Sequence, residues 1–153
     1  MTGESLIQLY LSHRGKVAHK WHAFLSAYER ALSGLRNEEI RPLEMGVQNG
    51  GALEIWARYF PATRCIVGCD SNPKCKDPDF DDARITVVVG DANSAETRDQ
   101  IARVSQRLGI IIDNGSHRSS DVIESFLTYF VRAAEGGLQQ SRSWRLTSPL
   151  QRA

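Results

Sequence analysis

Apolar positions change their period several times along this chain, and each change predicts an element. Between residues 4 and 35, Leu6, Leu9 and Tyr10 form one cluster. Trp21, Phe24, Leu25, Tyr28, Leu32 and Leu35 then recur at i, i+3, i+4 spacing, which predicts helix on both sides of a break at Gly15. A polar connector over 37–41 leads into a short apolar run ending in Glu44 and Gly46. The polar turn Gln48-Asn49 and the pair Gly50-Gly51 follow, and Leu53, Trp56 and Phe60 restore the helical period. Three further apolar runs predict strands, at Arg64–Cys69, Arg84–Val89 and Leu108–Ile112. The continuous β-branched run at 84–89 is of the kind buried in a parallel sheet. Between them lie an irregular Pro- and Asp-rich loop at 71–82 and a helix opened by Ser94 and running to about Arg107. A last helix starts at Ser119 or Ser120 and runs through Val131, with Val122, Ile123, Phe126, Leu127 and Phe130 predicted as its core face.

The order β-α-β-loop-β-α-β-α predicts a parallel sheet covered by helices on both faces. All four strands end on or beside an acid: Glu44, Asp70, Asp91 and Asp113. In open α/β sheets ligands bind beyond the carboxyl ends of the strands, where the strand order switches, so these acids outline a crevice. The glycine turn at 46–51 is its cradle, because glycine permits close backbone approach and the free N–H groups at a helix start can be aimed at a ligand. Gln48 stands where a G-x-G-x-x-G dinucleotide fingerprint needs its second glycine, and the Gly-Lys-Ser/Thr of a P-loop is missing. The remaining pattern, E-x-G-x-x-x-G-G, resembles motif I of class I S-adenosylmethionine methyltransferases, which implies that Glu44, Gly46 and Gly50 hold the amino-acid half of that cofactor. Asp70 is placed for the ribose hydroxyls and Asp91 for the adenine amine, since carboxylates accept hydrogen bonds from both. An NAD ribose would use Asp70 in the same way.

Composition narrows the partners. The chain has 153 residues, 41% hydrophobic and 24% charged, with a net charge of +1, enough for one domain and without the basic surplus of nucleic-acid binders. Neither a membrane-spanning run nor a signal-peptide layout is present in the sequence, and a cytoplasmic location is expected. Cys65, Cys69 and Cys75 match no zinc spacing and fall on or near a buried strand, which predicts packed thiols. His19 and His22 share a helical face in this reading, with no third ligand beside them.

Past the fourth strand, DNGSHRSSDVIESF resembles the IDDGSH segment of bacterial metal-assisted O-methyltransferases, among them sugar O-methyltransferases of macrolide pathways. The similarity extends through HKWHAFLSAYERAL, RPLEMGVQNGGALEIWARYFP, IVGCDSNPKCK and RITVVVGDAN, covering about residues 14–138. It implies a Rossmann-like class I methyltransferase fold and methyl transfer to a hydroxyl, with a sugar or glycoside as acceptor. It also implies His117 as general base, Asp113 beside the cofactor, and Mg²⁺ held at position 114. Domain boundaries follow: an N-terminal helical segment over 1–40, a cofactor-binding α/β unit over 41–138, and a tail over 139–153.

Two departures from the family pattern stand out. Asn114 replaces the second acid of the family's pair, so a metal there meets an amide oxygen without charge. After AAEGGL the family continues into further apolar strands, whereas this chain reads QQSRSWRLTSPLQRA. That abrupt change reads as a frameshift or truncation that removes the last strands. The fourth strand then becomes an open edge, a site for self-association, and catalysis is expected to be weakened. Cofactor binding without catalysis is therefore the alternative function, ahead of an NAD(P)-binding protein.

Overall fold

The four apolar runs pair into one parallel sheet: β1 (Pro42–Met45), β2 (Ile66–Asp70), β3 (Ile85–Val89) and β4 (Ile110–Asp113). A computed structural model describes residues 3–20, 22–76, 79–116, 118–135 and 146–147. Among these, a two-residue strand β5 (Leu146–Thr147) lies parallel to β4, giving the order β3-β2-β1-β4-β5. Strand order therefore switches between β1 and β4. The helices are α1 (Leu6–Ser12), α2 (His22–Leu32), α3 (Gly51–Tyr59), α4 (Ala95–Val104) and α5 (Ser119–Glu135). Local chemistry starts two of them, the second at the cap expected from sequence. Ser5 and Gln8 close a reciprocal capping box on α1, and the Ser94 hydroxyl accepts the Thr97 N–H at the head of α4.

Side-chain alternation splits the core into two faces. On one, Val47, Ile66, Ile110 and Ile112 pack with Trp56, Tyr59 and Phe60 and with the apolar stripes of α1 and α2. On the other, Leu43, Met45, Val67 and Ile111 meet Ile101 of α4 and Tyr129 of α5. This is the predicted α/β architecture with helices on both faces.

Four expectations need correction. Residues 13–20 are not helical. The Lys16 N–H donates to Glu54 Oε2 at 2.7 Å and His13 Nε2 lies 3.2 Å from the same oxygen, so the segment is tied across the start of α3. His19 accordingly precedes α2 and does not share a helical face with His22. β3 is an edge strand, with Thr86 exposed, rather than a strand buried on both sides. On α5 the inward residues are Ser125 and Tyr129, whereas Ile123 and Leu127 are 59% and 56% exposed. Two polar anchors set that rotation: Tyr129 donates to the Ala92 carbonyl at 2.6 Å, and Ser125 donates to Asn93 Oδ1 at 3.1 Å. Phe130's side chain lies outside the described residues. Finally, β4 is not bare: Ile111 and Ile112 pair with Leu146 and Thr147. A strand of two residues is too short to show a period, which is why the polar tail concealed it.

Candidate functional site

Alternation along β1 sends Leu43 and Met45 to the α4–α5 face and Glu44 to the opposite one, beneath α3. Glu44 is 1% exposed and accepts three hydrogen bonds. Oε1 receives the Lys20 ammonium and the Asn114 amide, each at 2.7 Å, and Oε2 receives the Trp56 indole at 3.1 Å. Burying a carboxylate is tolerated when a counter-charge and further donors satisfy it, and all are present here. Asn114 in turn accepts from the Tyr28 hydroxyl at 3.4 Å. The Lys20 ammonium stands 5.4 Å from the Tyr28 ring and 5.8 Å from that of Trp56, within cation–π range. Nearby, the buried Tyr10 hydroxyl has no hydrogen-bond partner among the described residues. Its pKa is pushed up by burial first and then by the Glu44 charge.

The turn after β1 is shaped by backbone geometry. Gly46 has φ +89, and a Cβ there would lie 2.3 Å from the Asn114 carbonyl oxygen, so only glycine lets the ends of β1 and β4 approach this closely. Gln48 also has a positive φ of 50. The next N–H groups point at Asp70: Val47 and Gln48 donate to its Oδ2 at 2.8 and 3.1 Å, while Asn72 donates to Oδ1 at 2.9 Å. Burial alone would raise the Asp70 pKa. The N–H groups of Asn72, Gln48 and Val47 outweigh it and hold the carboxyl below the usual aspartate range.

These parts enclose a cleft of about 270 Å³ at the β1/β4 switch, lined by Lys20, Glu44, Gly46, Val47, Gln48 and Asn114 among others. Of the sequence-selected residues, Glu44, Gly46 and Asn114 thus come together. Gly50 caps α3 at the far end of the turn, and Asp70 braces the turn from below. Asp113 is buried next to Asn114 and accepts the Gly115 N–H at 3.0 Å. Asp91 is exposed on the β3–α4 turn, where it accepts the Asn93 N–H, and does not line this cleft. His117 lies outside the described residues. Lys20 was missed from sequence, because its role depends on the non-helical path of 13–20. Trp56 was read only as core, since its indole N–H leaves no trace in an apolar period.

Among the described residues no three His, Cys, Asp or Glu side chains converge as a metal site. The three thiols lie on separate carbonyls, those of Val104, Gly90 and Gln48. Burial raises all three, Cys69 to about 12, which disfavours the thiolate form. No described helix is long and apolar enough to cross a membrane.

The chain is 37% identical over 124 residues to the mycinamicin VI 2''-O-methyltransferase of Micromonospora griseorubida, covering 76% of this chain and 30% of that protein. It is 33% identical over 124 residues to 8-demethyl-8-(2-methoxy-alpha-L-rhamnosyl)-tetracenomycin-C 3'-O-methyltransferase of Streptomyces olivaceus, with 76% and 31% covered. Both relatives are O-methyltransferases. No protein-family model matches the chain. Among solved structures, the methyltransferase MycE of the mycinamycin pathway, in complex with Mg and SAH, superimposes with a TM-score of 0.69 at 32% identity. That match covers 86% of this chain and 35% of MycE. The Rossmann-like methyltransferase fold expected from sequence is therefore established. The chain spans about a third of the length of these O-methyltransferases.

Proposed function

We propose that this chain binds S-adenosylmethionine at the β1/β4 cleft and serves O-methylation of a sugar hydroxyl on a glycosylated small molecule. The observation that carries it is the buried Glu44 beside the left-handed Gly46 turn, at the switch point of a sheet whose homologues are O-methyltransferases. A related complex of MycE contains Mg, SAH and mycinamycin VI, which supports a glycosylated acceptor. In this reading Glu44 and the Gly46–Gly50 turn hold the amino-acid end of the cofactor, Asp70 takes the ribose, Asp91 takes the adenine amine beyond the cleft's own lining, and Asp113 closes the neighbouring wall. Besides the three backbone N–H groups, the Cys75 thiol bonds the Asp70 carboxylate, and Oδ1 carries one backbone donor, from Asn72.

The bound cofactor supplies an electrophilic methyl group. His117, which follows β4 in the sequence, takes the proton of the acceptor hydroxyl as its oxygen attacks. The site's other contribution is to hold the acceptor in line and exclude water. The described residues do not make a Mg²⁺ site by themselves. Asn114 offers one amide oxygen, already facing the Tyr28 hydroxyl, and its NH₂ is spent on Glu44. The same observation favours cofactor binding without transfer as the second reading. A cytoplasmic location accords with the free thiols.

Calorimetric titration of the purified chain with S-adenosylhomocysteine, with and without Mg²⁺, tests the proposal. Micromolar binding abolished by Glu44→Ala is expected, and absence of binding by folded protein would overturn it. Methyl transfer to a macrolide glycoside, lost in His117→Ala, separates the enzyme from the binding module.

A further inference from the structure

Chemistry fixes which end of the Asn114 amide meets Glu44. An ionised carboxylate only accepts, so the Asn114 NH₂ is the group that donates to Oε1 at 2.7 Å, and its oxygen faces the Tyr28 hydroxyl. The Lys20 ammonium donates to the same Oε1, also at 2.7 Å. Glu44, Lys20 and Asn114 thus sum to no net charge. The Glu44 and Lys20 side chains are 1% and 7% exposed, and a wall so dry tolerates ions only in balance.

The backbone holds Asn114 in this place. Its N–H donates to the Met45 carbonyl at 2.9 Å, and its own carbonyl crowds Gly46, where a Cβ would lie 2.3 Å away. An acid at position 114 would therefore press a second carboxylate against Glu44 and leave one negative charge in excess. Balance would need a further cation. A divalent ion such as Mg²⁺ supplies it, since one or two carboxylates and several waters are its usual shell. With the amide the trio is already neutral, and nothing in it attracts such an ion. We propose that Asn114 is not a metal ligand but a crossbar, which with Lys20 closes the β1/β4 junction without a divalent cation. Mg²⁺ at position 114, which the family resemblance implied, is replaced by a hydrogen bond. The crossbar holds whether or not the cleft takes S-adenosylmethionine.

Urea denaturation of the full chain, Asn114→Asp and Asn114→Ala tests it. Each is measured in EDTA, in millimolar MgCl₂ or MnCl₂, and in KCl of equal ionic strength. The wild-type midpoint should be the same in all of them. Asn114→Asp, nearly equal in shape, should lose roughly 10- to 100-fold in its folding equilibrium constant in EDTA, the usual worth of a hydrogen bond to a charged group. Mg²⁺ or Mn²⁺ should restore much of that loss and KCl, which only screens, little of it. Asn114→Ala removes the bond without adding charge, so it should be weakened with no response to divalent ions. That response is what a merely structural amide would not create. If Asn114→Asp fails to fold in EDTA, Glu44→Gln, Asn114→Asp exchanges acid and amide across the same contact. It should then fold without a cation and ignore Mg²⁺. The crossbar is overturned if Mg²⁺ stabilises the wild-type chain beyond KCl, or if Asn114→Asp matches the wild type in EDTA. It is equally overturned if divalent ions leave Asn114→Asp unchanged, or if the exchanged variant still needs them.

Discussion

Asp70 shows how one side chain links the stability of this molecule to its cleft. Three backbone N–H groups donate to it, and they keep its folded pKa below the ordinary value of 3.8 despite partial burial. A depressed folded pKa means that the unfolded chain takes up the proton first. The stabilisation is therefore complete above the unfolded pKa and is lost as pH falls through the folded one. Urea denaturation at about pH 5 and at about pH 3 should show a clear loss of stability in the wild-type chain. The loss should be smaller in Asp70→Asn, which starts lower at neutral pH because an amide offers one acceptor oxygen where the carboxylate offers two. An equal acid loss in both proteins would show that Asp70 carries none of it. The acid at this strand end was legible from sequence alone. Its engagement with Val47 and Gln48 was not, because a hydrogen bond across 23 residues has no local signature.

At the scale of elements, what the sequence made visible were the parts governed by local rules: β1 through β4, α3, and the Ser94 cap of α4. What it concealed depended on tertiary contacts. The helical period around 4–35 continued through residues that Glu54 instead pins across α3. The apolar stripe of α5 was rotated outward by Tyr129 and Ser125, whose polar anchors outweigh the burial of Ile123 and Leu127. The glycine turn belongs with the legible parts, and its requirement can be tested directly. Gly46→Ala places a methyl against the Asn114 carbonyl at a left-handed φ of +89. Forcing an L-residue into such strain costs about 1–3 kcal/mol, and the clash with backbone adds to it. The expected result is a destabilised chain in which β1 and β4 separate at their carboxyl ends and S-adenosylhomocysteine no longer binds. Gly34→Ala is the control, since a Cβ there meets nothing within 4 Å. If Gly46→Ala binds S-adenosylhomocysteine like the wild type, the turn is not the cradle.

The molecule as a whole is built unevenly about its sheet, and the site stands on the stronger side. The face carrying Glu44 is walled by Trp56, Tyr59 and Phe60, whose rings meet at centroid distances of 4.9–6.1 Å. Interlocked rings of this kind cannot shift to fill a void. On the other face α5 turns Ile123 and Leu127 to solvent, so it can settle inward when something beneath it is removed. Ile111 and Ile112 separate the two faces cleanly: they are neighbours on β4, alike in chemistry and nearly alike in burial, and they point to opposite clusters. Truncation of a buried Ile to Ala costs about 2–5 kcal/mol, the value depending on how far the surroundings collapse. Ile112→Ala should fall near the upper end and Ile111→Ala near the lower, with a gap of about 1 kcal/mol or more in urea denaturation at equal m-values. Backbone propensity cancels between adjacent strand residues, so the gap reads packing alone. An inverted order would mean that the α4–α5 layer is the rigid one. The cleft would then rest on the face that yields, and the hydrogen bonds that hold Glu44 to Lys20, Asn114 and Trp56 would have to fix the site without a rigid layer behind them.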